Sequence, residues 1–220
     1  MTSTALFRLS GLSVVIGAVL GFLGTLGNSF FYGNATSYAH NPLFILTGLL
    51  NVIGAFLVLL GLPGVFARQA QGFGTLGLVG LVLIMLTATT LPIFLGLLGA
   101  LIIPWLADKA PALANQQGPP ALFAVFIVGG LSFVIGAILW GVQLIRRRVE
   151  PRWVGFVLIV AAVVQLASFF TGQSNSLLLS LFGALGGLLL VVGLGALGYH
   201  TWTMSREEGR VARAAGALTT

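Results

Sequence analysis

Residues 43–66 read LFILTGLLNVIGAFLVLLGLPGVF. This stretch holds no Asp, Glu, Lys, Arg or His, and its only strongly polar side chains are Thr47 and Asn51. A helix needs about 20 apolar residues to cross roughly 30 Å of hydrocarbon. Lipid offers no partner to an open backbone N–H or C=O, so such a stretch spans as a helix.

Five more stretches of this kind flank it. The six predicted spans cover about residues 7–27, 43–66, 73–95 with an apolar extension to 105, 121–145, 153–171 and 177–200. Together they make residues 1–204 a six-span bundle and leave 205–220 as a short polar tail. The totals agree: 58% of the 220 residues are hydrophobic and 6% are charged, where a soluble domain carries about 25% charged residues. The fold class is therefore an all-α integral membrane protein.

The first stretch follows Arg8 and resembles a signal peptide in outline. Its apolar run is longer than the 7–15 residues of a signal core, so it reads as a membrane anchor.

The third stretch is too long for a simple span. Pro92 lies inside it and Pro104 near its end. A proline removes one backbone donor and crowds the preceding turn, which predicts a kink or break near Pro92. Splitting the stretch into a hairpin at Thr90–Pro92 conflicts with the charges. With six spans, nine of the ten basic residues share one side: Arg8, Arg68, Arg146, Arg147, Arg148, Arg152, Arg206, Arg210 and Arg213. Lys109 alone falls on the other. The positive-inside rule then places both termini in the cytoplasm. The expected location is a bacterial cytoplasmic membrane.

The net charge of +6 does not indicate nucleic acid, because the cations sit in short connections and form no basic face. Cys is absent, so there is no disulfide and no thiolate site. His40 and His200 fall on opposite sides by this topology and cannot share a metal. His40 and Asp108 are both placed in outer connections and can meet there. No nucleophile elbow, paired carboxylates or phosphate loop is present, and the sequence points away from an enzyme. No cofactor is predicted; a lipid, haem or pigment held on an apolar surface leaves no polar signature to read.

Two features invite a functional reading. Asn51, Thr87, Thr89, Thr90, Gln165 and Ser168 all fall in the outer half of the bundle, which predicts a shallow polar cavity built by spans two, three and five. Interhelical hydrogen bonding is the alternative use of the same residues. Gly17 and Gly21 in span one, and Gly183 and Gly187 in span six, have the Gly-x-x-x-Gly spacing that lets helix backbones approach closely.

An internal repeat is also suggested. Residues 11–21 and 130–140 match at eight of eleven positions, and weaker matches relate spans two to five and three to six. Copies of three helices would be inverted, a 3+3 arrangement used by transporters.

Ser205-Arg206-Glu207-Glu208 has the form of a capping box, which could begin a short helix, but the tail reads as a solvated cytoplasmic segment. The expected function is that of a non-catalytic accessory or scaffold subunit, packing through glycine-rich faces against other membrane-protein subunits or itself, with membrane lipids around it. The alternative is a small channel or facilitator for neutral or hydrophobic solutes or lipid.

Overall fold

A computed structural model of the chain describes residues 3–31, 33–116, 120–147, 151–171 and 177–217. Side chains at 3, 70–73, 120, 168–171, 177–182 and 206–217 lie outside the description. Among the described residues there is no strand. The elements are α1 (Ser3–Asn28), α2 (Ala35–Tyr38), α3 (Pro42–Ala88), a π-helical turn (Thr89–Ile93), α4 (Phe94–Leu97), a second π turn (Leu98–Ile102), α5 (Ile103–Lys109), α6 (Pro111–Ala114), α7 (Pro120–Arg147), α8 (Arg152–Thr171) and α9 (Leu177–Ala217).

At 1.5 Å per residue, an unbroken α3 of 47 residues would run about 70 Å. It does not run straight. Gly74 has φ +59° and ψ −166°, a region almost closed to side-chain-bearing residues. The chain folds back there. Gly48 and Gly96 touch backbone to backbone, and Gly99 lies over Phe44, so the two arms are antiparallel. Gly74→Ala adds a Cβ that meets no neighbour, so its cost is conformational, about 1–3 kcal/mol. Thermal unfolding in mild detergent checks this; an unchanged midpoint would mean that Gly74 is not the turning point.

Among the described residues, five helices are long and apolar enough to cross a membrane: Thr4–Asn28, Pro42–Gln69, Gly74–Lys109, Ala121–Arg147 and Gly183–Ser205. α8, with 20 residues, is the shortest of the long helical legs. The third stretch remains one leg. Pro92 does not break it. The leg widens into a π turn at Thr89–Ile93, which makes room for the ring and for the missing N–H. The leg then continues through Pro104 to Lys109, 36 residues from Gly74.

Neighbours in the bundle follow chain order. α1 packs on the first arm of α3, the second arm on α7, α7 on α8, α8 on α9, and α9 back on α1. Every contact is antiparallel, as the pairs Gly17–Gly54, Gly48–Gly96, Gly80–Gly136, Gly141–Gly155, Gly193–Leu158 and Gly11–Gly198 require. The result is a closed ring of six legs with alternating direction. Arg8, Arg68, Arg146, Arg147 and Arg152 therefore share one end, and Asp108 and Lys109 lie at the other.

This ring corrects the expectation of an inverted repeat. Seen from the start of its own first helix, the first triplet of legs advances one way round the ring and the second triplet the opposite way. No rotation superposes triplets of opposite hand. The matched segments share packing duty instead: Val14 and Ala18 are buried in one, Phe133 and Ala137 in the other.

One apolar cluster fills the ring toward the arginine end, with members from all six legs: Val14, Leu62, Leu81, Trp140, Leu158 and Leu197 among them. The outer faces are apolar too, with Ile16, Phe56, Val82, Ile135, Phe156 and Leu188 exposed. Water would not tolerate so much apolar surface, whereas lipid does. At the arginine end Arg68 donates to the Thr201 carbonyl (3.2 Å) and to Ser205 Oγ. Ser205 Oγ in turn donates to Thr201 O at 2.7 Å. Ser205 thus sits inside α9, which continues unbroken to Ala217. No new helix starts at the capping-box sequence, because its first residue is already bonded to the turn before it.

Candidate functional site

The six seams of the ring are not alike. Five carry a reciprocal glycine pair, in which each glycine faces the carbonyl oxygen of the other. A Cβ built on Gly17 would stand 2.6 Å from Gly54 O, and one on Gly54 would stand 2.7 Å from Gly17 O. Gly48 and Gly96 (2.8 and 2.7 Å), Gly80 and Gly136 (3.1 and 3.0 Å), Gly141 and Gly155 (2.7 and 2.5 Å), and Gly11 and Gly198 (2.5 and 2.6 Å) repeat the arrangement. Lipid does not drive helices together, so close backbone approach supplies much of the attraction. The α8–α9 seam has no such pair among the described residues. There Gly193 receives the Leu158 side chain and Gly186 receives Gln165.

Gly17 therefore lies within the chain's own packing, and Gly21 offers its backbone N to the same contact with Gly54. Gly187 makes only ordinary contact, 3.7 Å to Thr25 and 3.8 Å to Phe22 for an added Cβ. The tight approach of α9 to α1 occurs at Gly198 instead. The Gly183/Gly187 spacing does not mark it.

A cavity of about 280 Å³ opens at the end opposite the arginines. Its walls are Thr25, Asn28, Ser29 and Phe31 from the end of α1 and the turn after it, Gln165 from α8, and Gly183 and Ala184 from α9. Thr25 Oγ1 lies 2.9 Å from Gly21 O and 3.1 Å from Asn51 Oδ1, so its one proton has two acceptors to choose between. Asn51 Nδ2 donates to Thr47 O at 3.2 Å. Ser29 Oγ donates to Thr25 O at 3.0 Å. Asn51 thus stands behind Thr25 and braces it. Among the described residues, hydroxyl and carboxamide groups line this space and no ionisable side chain does.

The expected polar cluster is divided by the structure. Gln165 lines the cavity and Asn51 supports its wall. Thr87 bonds Leu83 O and, across the seam to α7, Gly129 O, each at 3.0 Å. Thr89 is exposed and bonds Met85 O; Thr90 bonds Leu86 O at 2.9 Å. These three serve helix packing and the backbone before the π turn, on a different part of the ring. The side chain of Ser168 lies outside the described residues. The cavity belongs to α1, α8 and α9, not to the second, third and fifth apolar stretches as expected. Thr25, Asn28 and Ser29 carry a signal that sequence reasoning passed over: their i, i+3, i+4 spacing puts all three on one helix face.

A cap lies beside the same end. His40 Nε2 meets Asp108 Oδ1 at 3.0 Å, as their placement in the outer connections suggested. Asn115 holds α2, with its Nδ2 donating to Thr36 Oγ1 (3.0 Å) and its Oδ1 accepting from Thr36 N (3.1 Å). The rings of Phe31, Tyr38 and Phe44 pack together, with centroids 4.8–5.7 Å apart. Burial there pushes the Tyr38 phenol above its ordinary pKa and keeps it neutral. Phe31 belongs to both the cap and the cavity wall, so the first connection is fixed relative to the cavity.

No family model, curated protein or solved structure matches this chain.

Proposed function

We propose that this protein is a six-span facilitator that receives a small neutral solute in the cavity between α1, α8 and α9 and conducts it across a membrane. In this reading the arginine end faces the cytoplasm, by the positive-inside rule, and the cavity opens to the outside of a bacterial cytoplasmic membrane.

The observation that carries the reading is the cavity: uncharged hydrogen-bonding walls formed by Thr25, Asn28, Ser29 and Gln165 above a packed apolar floor that includes Val14, Leu158 and Leu197. Desolvating a charge costs several kcal/mol without a partner, and these walls offer none, so they favour a neutral ligand. At 280 Å³ the space lies at the small end of ligand cavities. The scaffold reading drew on glycine faces open to a partner. Gly11, Gly17, Gly54 and Gly198 are engaged inside the chain, whereas a Cβ on Gly21 or Gly195 would meet nothing and one on Gly187 only ordinary contacts, so the glycines favour the scaffold reading less than the cavity favours a facilitator.

The chain has no cysteine, so single substitutions report without background. Gln165→Cys is expected to react with a membrane-impermeant thiol reagent added outside, and Asn51→Cys more slowly, behind Thr25. Complete protection of both overturns the outward cavity. In liposomes, swelling driven by small uncharged polyols is expected to be faster with the protein present. Gln165→Leu removes a hydrogen bond worth about 0.5–1.5 kcal/mol, which corresponds to a roughly twofold to thirteenfold slower flux. Swelling no faster than in empty liposomes counts against a facilitator of such solutes.

A further inference from the structure

The described hydroxyl groups of the cavity wall, those of Thr25 and Ser29, direct their protons into the protein. Thr25 Oγ1 lies 2.9 Å from Gly21 O and 3.1 Å from Asn51 Oδ1, and Ser29 Oγ donates to Thr25 O at 3.0 Å. From this we infer the substrate class: the solute held between α1, α8 and α9 is a neutral hydrogen-bond donor, such as a urea, a primary amide or a polyol. Neutral solutes that only accept hydrogen bonds are disfavoured. The inference rests on the facilitator reading and adds to it the hydrogen-bond polarity of the solute.

A Ser or Thr hydroxyl has one proton and two lone pairs. The Thr25 proton goes to Gly21 O or to Asn51 Oδ1, and neither choice leaves it for the cavity. Chemistry fixes which way Asn51 faces. The Thr47 carbonyl can only accept, so the Asn51 atom 3.2 Å from it is Nδ2, and Oδ1 is the atom turned to Thr25. Asn51 is thus a positioning residue, which acts on the solute through Thr25. A bond from a hydroxyl to the carbonyl one turn back is ordinary in apolar helices. Its consequence here is that Thr25, on the cavity wall, has lone pairs and not a proton to offer a solute.

Asn28 and Gln165 do not set the same preference. A carboxamide carries both donors and an acceptor, so it serves a solute carbonyl and a solute N–H alike. Discrimination falls to the hydroxyls. A solute N–H or O–H that reaches Thr25 replaces a bond it made to water. A solute with acceptors alone leaves the Thr25 lone pairs unmatched, and an unmatched polar group costs more than a matched one gains.

The test uses three planar solutes of one shape: urea with two amino groups on its carbonyl, acetamide with one and acetone with none. The reporter is the full chain carrying Gln165→Cys in liposomes, labelled from outside by an impermeant thiol reagent in the presence of each solute. Thr25, Ser29 and Asn51 are unchanged in this protein. Free cysteine labelled under the same conditions corrects for effects of the solutes on the reagent. The concentration that halves the labelling rate is expected to rise in the order urea, acetamide, acetone. Acetone is expected to need about twofold to thirteenfold more than urea, the ratio that one hydrogen bond supplies. With Thr25→Val added, urea is expected to lose its advantage over acetone. With Thr25→Ser in its place the hydroxyl is kept, and so is the order. The comparison of the three solutes requires no change at Thr25, so it decides the matter even if Thr25→Val does not fold.

Equal protection by urea and acetone, stronger protection by acetone, no protection by urea, or an order that survives Thr25→Val overturns this inference and leaves the facilitator reading to the flux measurement. A Gln165→Cys that does not react overturns this inference too. If Asn51→Cys is unreactive as well, the facilitator reading falls with it.

Discussion

Gly54→Ala is expected to destabilise the bundle by about 1–3 kcal/mol or more, the range seen when a packed interior is overfilled. The added Cβ meets backbone on every side: Gly21 N at 2.5 Å, Gly17 O at 2.7 Å and Gly21 Cα at 2.9 Å. No side-chain rotation relieves these contacts; α1 and α3 must separate along the seam. Two other glycines calibrate the effect. Gly195→Ala places its Cβ in open space, and Gly187→Ala makes only ordinary contacts. Alanine is the better helix former by about 1 kcal/mol, so both are expected to be neutral or slightly stabilising. Thermal unfolding of the three variants in one mild detergent gives the comparison. Equal midpoints for Gly54→Ala and Gly195→Ala would mean that the α1–α3 seam is looser than described.

Trp140→Ala is expected to cost about 3–5 kcal/mol, the usual penalty for emptying a large aromatic site in a core. Trp140 is fully buried and belongs to the cluster shared by all six legs. Lipid is as apolar as this interior, so the loss is one of van der Waals contact and packing, not of shielding from water. Trp140→Phe separates two contributions. It keeps part of the volume and removes the indole Nε1–H, which is buried without a hydrogen-bond partner. An unmet buried donor costs about 1–3 kcal/mol, so removing it offsets part of the lost contact. Trp140→Phe is thus expected to lie well above Trp140→Ala in stability. If Trp140→Phe costs as much, relative to the unsubstituted protein, as the lost ring volume and a lost hydrogen bond together, the indole N–H has a partner in the folded protein.

The legible part of this protein was composition and period. The run from Leu43 to Phe66 admits no reading but a helix in an apolar medium, and the same holds for the other long legs. Pro92 announced an irregularity, but sequence does not distinguish a kink from a π turn; that depends on whether neighbouring helices leave room for a wider turn. The turn between the second and third legs was expected as a short connection. It narrows to Gly74 because one residue free to take φ +59° reverses the chain.

The site was only half legible. Gln165 was found because a carboxamide within an apolar helix stands out. Thr25, Asn28 and Ser29 were passed over near the end of the first span, where polar residues are ordinary. Thr87, Thr89 and Thr90 share the depth of the cavity, but depth along the membrane normal is only one coordinate; the other, angular position round the ring, is set by contacts between legs.

The sequence by itself determined that the chain forms long apolar helices and that its arginines lie at the margins of the apolar runs and in the tail, because both follow from local residue content. Only the tertiary structure decided which glycines meet, that five seams of the ring carry a reciprocal glycine pair, and that the cavity lies between α1, α8 and α9. A glycine's role depends on the backbone opposite it, and that partner lies between 14 and 187 residues away in the chain.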